Sequence, residues 1–138
     1  MRREPETFRL GAHTLVLRNA EEADAGQLML LAFWDGELAG NCSFTGMPQK
    51  RYRHRATVGI ALYRKFTGLG IGTVMMETLI QAAREQGLEQ LELEVIADNA
   101  PAIGLYKKLG FEVCRTLPNN MKYKDGTYAD ALWMRKKL

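Results

Sequence analysis

Val58-Gly59-Ile60-Ala61-Leu62, then Tyr63-Arg64-Lys65-Phe66, then Thr67-Gly68-Leu69-Gly70-Ile71-Gly72-Thr73: an apolar run, a short polar link, and glycines at alternate positions. The run is short and partly β-branched, which predicts a strand. From Ile71 the apolar residues fall at 71, 74, 75, 79, 82 and 83. That spacing predicts a helix with one apolar face. Gly87 stands just past its last turn, where a left-handed cap residue is expected. Val58–Glu85 therefore reads as strand, glycine loop, helix.

Physical chemistry gives such a junction a use. The first amides of a helix have no internal partners and sit at the positive end of its dipole. Glycines permit positive φ and let a phosphate come close to the backbone. A pyrophosphate is the natural guest; a tight turn with no ligand is the plain alternative. A dinucleotide fingerprint, G-x-G-x-x-G, fails because its third glycine position is Thr73, although Glu92 lies at a fitting distance for a ribose-binding acid. A P-loop fails because no lysine follows the glycines.

Working outward, Leu88–Ile96 reads as a strand with Leu91, Leu93 and Val95 on one face and Glu92 and Glu94 on the other. With a helix between them, this strand and Ala56–Leu62 form a βαβ unit and should be parallel. Asn99 is a good N-cap, with Pro101 in the first helical turn, and Gly110 suits the C′ position of a helix ending near Leu109. Phe111–Thr116 is the next strand. Lys124-Asp125-Gly126 marks a hairpin turn before a last strand, Tyr128–Met134. Upstream, Leu28–Phe33 and Leu38–Phe44 flank Trp34-Asp35-Gly36-Glu37, a strong hairpin signal. Gly46–Arg53 is a loop. The fold class is α/β, with a mixed, mostly antiparallel sheet and flanking helices.

These blocks resemble the GNAT superfamily of N-acetyltransferases. Thr67–Gly72 is similar to that family's acyl-coenzyme A pyrophosphate loop, Q/R-x-x-G-x-G/A, with Gly70 and Gly72 on the two small positions and Thr67 in place of the usual Arg or Gln. Asp98–Phe111 resembles the family's N-x-x-A-x-x-L-Y-x-x-x-G-F block. The resemblance runs from about Leu28 to the C-terminus. It implies that the parallel pair splays at the centre of the sheet and that the pantetheine arm of acetyl-CoA lies in the gap. It further implies that the pyrophosphate rests on residues Thr67, Gly68, Leu69, Gly70, Ile71, Gly72 and Thr73. Backbone groups of Ile60, Ala61 and Leu62 would hold the pantetheine and the thioester carbonyl, and Asn99 would contact the pantetheine.

Against the same family, Thr7–Glu22 is ambiguous. Thr14-Leu15-Val16-Leu17-Arg18 could be a strand, but the spacing from Phe8 to Asp35-Gly36 suits the helix that precedes the family's second strand. The expectation is a helix over residues 11–21, with the family's first strand and first helix absent. The sheet would then begin near Leu28–Phe33 with an open edge, which points to a homodimer.

Acetyl transfer needs a polarised carbonyl, a neutral amine and a proton for the departing thiolate. Tyr106 matches the family's tyrosine and is the candidate donor, since a phenol is neutral at pH 7; by its spacing with Ala102 and Leu109 it could equally be a core aromatic. Ala56–Leu62 carries no acid. Glu92 and Glu94 are the candidate bases, acting directly or through water, with salt-bridged packing on a sheet surface as the plain alternative. His54 lies among basic residues and reads as a loop histidine. Asp130 could bind a cationic acceptor or be an edge residue.

The chain has 138 residues, 46% of them apolar and 25% charged, with a net charge of +3. That fits a single domain over 1–138 able to bury its own core, with residues 1–6 disordered. No apolar run reaches membrane-spanning length and no secretory signal opens the chain. Cys42 and Cys114 read as reduced, buried residues of a cytoplasmic protein, and no Cys/His cluster has zinc spacing, so no metal is expected. Basic residues gather at Lys50–Arg55, as a solvated loop or as help in holding an anionic cofactor. No nucleic-acid motif accompanies them. The expected partners are acetyl-CoA and a primary amine, on a small molecule or a polypeptide N-terminus. A non-catalytic acyl-CoA-binding module or sensor is the alternative.

Overall fold

The structure is a computed structural model that describes residues 3–20 and 27–138. Its strands are β1 (Glu6–Leu10), β2 (His13–Asn19), β3 (Gln27–Trp34), β4 (Glu37–Gly46), β5 (Arg55–Leu62), β6 (Gln90–Ile96), β7 (Glu112–Lys122) and β8 (Tyr128–Lys137). Two helices, α1 (Ile71–Glu85) and α2 (Ala100–Lys108), follow β5 and β6. The strands form one sheet in the order β1-β2-β3-β4-β5-β6-β8-β7. Every neighbouring pair is antiparallel except β5 and β6, which are parallel. The mixed α/β expectation holds, and both helices sit where the periodicity and caps place them.

Residues 11–21 need a correction. Through Asn19 they are turn and strand, not helix; Glu21 lies outside the described residues. Leu15 and Leu17 are completely buried and the residues between and beside them are not. In a strand, residues two apart share a face; in a helix they would point to opposite sides. A two-residue turn with Gly11 at φ 63° joins β1 to β2, and Leu10 pairs with His13. The edge expected to be open at β3 is covered by β2, from Leu15↔Trp34 to Asn19↔Leu30. The outer edge on this side of the sheet is β1 instead of β3.

The β1–β2 hairpin also closes over α1. Arg3 joins Glu85 in the last turn of α1 at 2.8 Å and Glu6 at 2.6 Å, so residues 3–6 are held in place. At the other end, the side chain of Leu10 lies 3.6 Å from where a Cβ on Gly70 would stand, at the start of α1. Lying between this curl and the sheet, α1 buries a broad face that includes Ile71, Met75, Met76, Leu79, Ile80, Ala82 and Ala83. Phe44, Phe111, Leu28, Leu30, Leu91 and Leu93 complete the core on the same side of the sheet. Cys42 is buried as expected; Cys114 is exposed, its thiol donating to the Trp133 carbonyl at 3.2 Å.

What positions the site is the parting of β5 from β6. Their parallel pairing is confined to Arg55↔Gln90, Ala56↔Leu91 and Thr57↔Glu92. Beyond this, β5 stays paired to β4 as far as Leu62↔Gly40, and β6 stays paired to β8 as far as Ile96↔Ala131. The two strands diverge into a fork whose closed end is the Thr57–Glu92 rung.

Candidate active site

Val58–Leu62 lie along the open limb of the fork with no partner strand on the β6 side. Backbone groups there are free to bind a guest. The strand end is fixed from behind by Gly40. A Cβ on Gly40 would stand 2.1 Å from the Ala61 carbonyl oxygen and 3.0 Å from the Leu62 Cα, so only glycine lets β4 approach this closely. The approach accompanies an irregularity in the β3–β4 pairing at Ala32/Phe33. Gly40 is a site-shaping residue that the sequence reading did not single out. A glycine inside a strand is the signal for such close contact.

Just past the open end of β5 comes the glycine loop. Gly68 and Gly70 have φ of 78° and 84°, a backbone region that glycine alone enters without strain. Gly70 is the N-cap of α1 and no side chain caps the helix. The first amides of α1 are therefore unspent, at the positive end of the dipole. A Cβ on Gly68 would meet nothing within 4 Å, so the loop surface is open. Thr67 is different: its hydroxyl donates to the Arg64 carbonyl at 2.7 Å and its amide to the same oxygen at 3.2 Å. It closes the preceding turn and keeps no donor for a phosphate. The basic loop Lys50–Arg55 precedes the other end of β5, on the order of 25 Å away along the strand. It lies at the closed end of the fork with His54, remote from the glycines.

Helix α2 starts beyond the open end of β6. Asn99 caps it, its Oδ1 accepting from the Ala102 amide at 3.3 Å. Gly72 on α1 faces both sides: a Cβ there would stand 3.5 Å from Leu105 of α2 and 3.7 Å from Leu62 of β5. The helix starts and the strand end thus converge. Tyr106 is 7% exposed, and its ring meets Phe111 edge-on at 6.0 Å. Its hydroxyl makes no hydrogen bond among the described residues. Burial pushes the phenol above its usual value, so it remains protonated throughout the physiological range.

The two glutamates of β6 part company. Glu92, on the last paired rung, is 4% exposed. It accepts from Trp133 Nε1 at 2.8 Å, Gln90 Nε2 at 3.0 Å and Arg55 Nη1 at 3.1 Å. Burial opposes its ionisation most, yet hydrogen bonds from Trp133, Gln90 and Arg55 and the Arg55 charge prevail, holding the carboxyl below its usual value. Arg55 and Trp133 are unforeseen members of the site; their meeting depends on the β5–β6–β8 register. Glu94 lies beyond the closed end of the fork, exposed, with no side-chain partner among the described residues. Asp130 uses Oδ1 to accept from the Asn119 amide at 2.9 Å, where Asn119 takes φ 51° at a break in the β7–β8 ladder.

A family model described as the acetyltransferase (GNAT) family matches residues 2–111. The chain belongs to the GNAT family. The match begins well before Leu28, where the motif resemblance starts, and so takes in the β1–β2 hairpin. Among curated relatives, the L-amino acid N-acetyltransferase AaaT of Escherichia coli (strain K12) is 32% identical over 114 residues, 80% of this chain and 68% of that protein. A GNAT acetyltransferase of known structure from Streptococcus pneumoniae superposes with a TM-score of 0.80 at 29% identity, covering 84% of this chain and 70% of that one. The structure of yncA from Salmonella typhimurium, described with its cofactor acetyl-CoA, gives 0.75 at 25% identity, covering 83% and 66%. GNAT proteins use acetyl-CoA, and the free amides, open glycine loop and forked strands fit such a guest. Among the described residues no His/Cys/Asp/Glu group is arranged to hold a metal ion, and no helix is long and apolar enough to cross a membrane.

Proposed function

We propose that this protein transfers the acetyl group of acetyl-CoA to a primary amine, on a small molecule or a polypeptide N-terminus. The observation that carries the reading is the fork: β5 leaves β6 after Thr57, and the uncapped, glycine-led start of α1 lies just past its open end. The amides at the start of α1 hold the pyrophosphate. The free edge of β5 near Ile60, Ala61 and Leu62 holds the pantetheine and polarises the thioester carbonyl. The amine nitrogen bonds to that carbonyl carbon and loses a proton. The carbon–sulfur bond breaks, and the sulfur leaves with the electron pair. Tyr106, with its proton uncommitted, supplies the thiol hydrogen.

Glu94 is the carboxylate with capacity to take the amine proton, directly or through water. Glu92 serves the site by position, because its oxygens are engaged and its carboxyl is held ionised. A coenzyme-binding module without catalysis is the competing reading, favoured by the lack of an acid on β5. Thiol release from acetyl-CoA, followed over a panel of amines, separates the two. Turnover with at least one primary amine, lowered in Glu94→Gln, is the expected result. Tight acetyl-CoA binding with no amine-dependent thiol release would leave the binding module standing.

A further inference from the structure

The face of the sheet opposite α1 carries a hollow of about 150 Å³, lined chiefly by Leu31, Leu38, Asn41, Ala61, Leu62 and Tyr63. Leu31, Asn41 and Ala61 stand in one row across β3, β4 and β5, alternating along their strands with residues that face α1. The irregularity at Ala32/Phe33 and the close approach at Gly40 open the hollow at that row. Two properties define its guest. Among the described residues no charged side chain lines it; Arg18, across from Leu31, is stacked over the Phe33 ring, and Lys65 and Glu37 are paired with each other. It is open to solvent, with Leu38 39% and Tyr63 59% exposed, and has room for one small apolar group.

We propose that this hollow is the acceptor subsite and takes an uncharged, apolar side chain of leucine or methionine size, borne on the carbon next to the reacting amine. The inference rests on reading the free end of β5 as the strand that holds the thioester. Ala61 and Leu62 belong both to that end and to the hollow, so a side chain seated there brings its own amine to the carbonyl. In an α-amino compound the β-carbon lies about 2.5 Å from the nitrogen. An ε-amine lies several bonds further off, and its ammonium-bearing chain would enter an uncharged hollow. Asn41 is the amide side chain in the lining, able to donate to a carbonyl or carboxylate of the acceptor. Acidic and basic α-amino compounds are disfavoured because their charged side chains would lose water against this apolar lining and gain no charged partner in it.

The test compares kcat/KM for L-leucine, L-methionine, L-glutamate and L-lysine with the full chain. The first two should exceed the last two by about 10-fold or more, as expected for an apolar pocket against a charged side chain. Leu31→Asp, on a solvent-facing strand position, should lower L-leucine turnover about 10-fold or more, raise that of L-lysine, and leave acetyl-CoA affinity by calorimetry unchanged. A second readout does not need turnover: titrating L-leucinamide into the protein with coenzyme A bound should shift the methyl resonances of Leu31 and Leu38. Shifted methyls without acetylation of any amine would sink the catalytic reading and keep the subsite. Equal kcat/KM across the four amino acids, or unshifted methyls, would overturn the subsite.

Discussion

Glu92 and Glu94 stand two positions apart on one strand and meet opposite surroundings. Three donors saturate Glu92 where β5 and β6 part, whereas Glu94 is exposed with no side-chain partner among the described residues. Sequence alternation puts them on the same face and goes no further, because their neighbours come from β5 and β8. The Glu92 carboxyl titrates lower in the fold than its ordinary 4.5. Its stabilising contribution is therefore fully present above about pH 4.5 and is lost as pH falls through the lower folded value. Glu92→Gln should cost roughly 1–3 kcal/mol at pH 7, since it leaves Arg55 without its counter-charge. It should also flatten the acid limb of a stability–pH curve measured by urea denaturation. An unchanged acid limb would show that the charge is not what binds the closed end. For Tyr106 the expectation runs the other way. Tyr106→Phe keeps the edge-on packing with Phe111 and removes a hydroxyl that makes no hydrogen bond among the described residues. The melting temperature and acetyl-CoA affinity should barely move, while kcat falls by about 10²–10⁴-fold. A wild-type kcat would make the residue a core aromatic and nothing more.

At the scale of elements, most boundaries were legible because caps and turns announce them. Asn99 caps α2, Gly87 and Gly110 take positive φ beyond their helices, and Asp35-Gly36 turns β3 into β4. β2 shows where legibility stops. Alternation in Thr14–Arg18 argues for a strand, chain length before the Asp35–Gly36 turn argues for a helix, and burial of Leu15 and Leu17 in the core decides it. That burial is a tertiary fact. Gly40 is a similar case, visible as a glycine in a strand but explicable only once the Ala61 carbonyl is seen behind it. Gly40→Ala would force β4 away from the end of β5, and overpacking of this kind typically costs about 1–3 kcal/mol. The melting temperature should drop and acetyl-CoA should bind more weakly; an unshifted calorimetric transition would mean that β5 yields freely there.

The molecule as a whole joins two features that the sequence shows separately. The glycine loop and the Asn99–Tyr106 segment are more than twenty residues apart, and the fork brings them to its open end with Leu62, Gly72 and Leu105 as the meeting point. The loop could be read from residue types because its function lies in the backbone. The fork could not, because only its family resemblance, and no residue pattern, says that two adjacent parallel strands stop pairing. Hydrogen exchange with and without acetyl-CoA addresses that arrangement directly. Amides of Val58–Leu62 and of Gly70–Thr73 should gain protection on binding, with β1, β2 and the edge strand β7 unchanged. Protection confined to the basic loop at Lys50–Arg55, or none along the open limb of β5, would contradict the fork as the binding site.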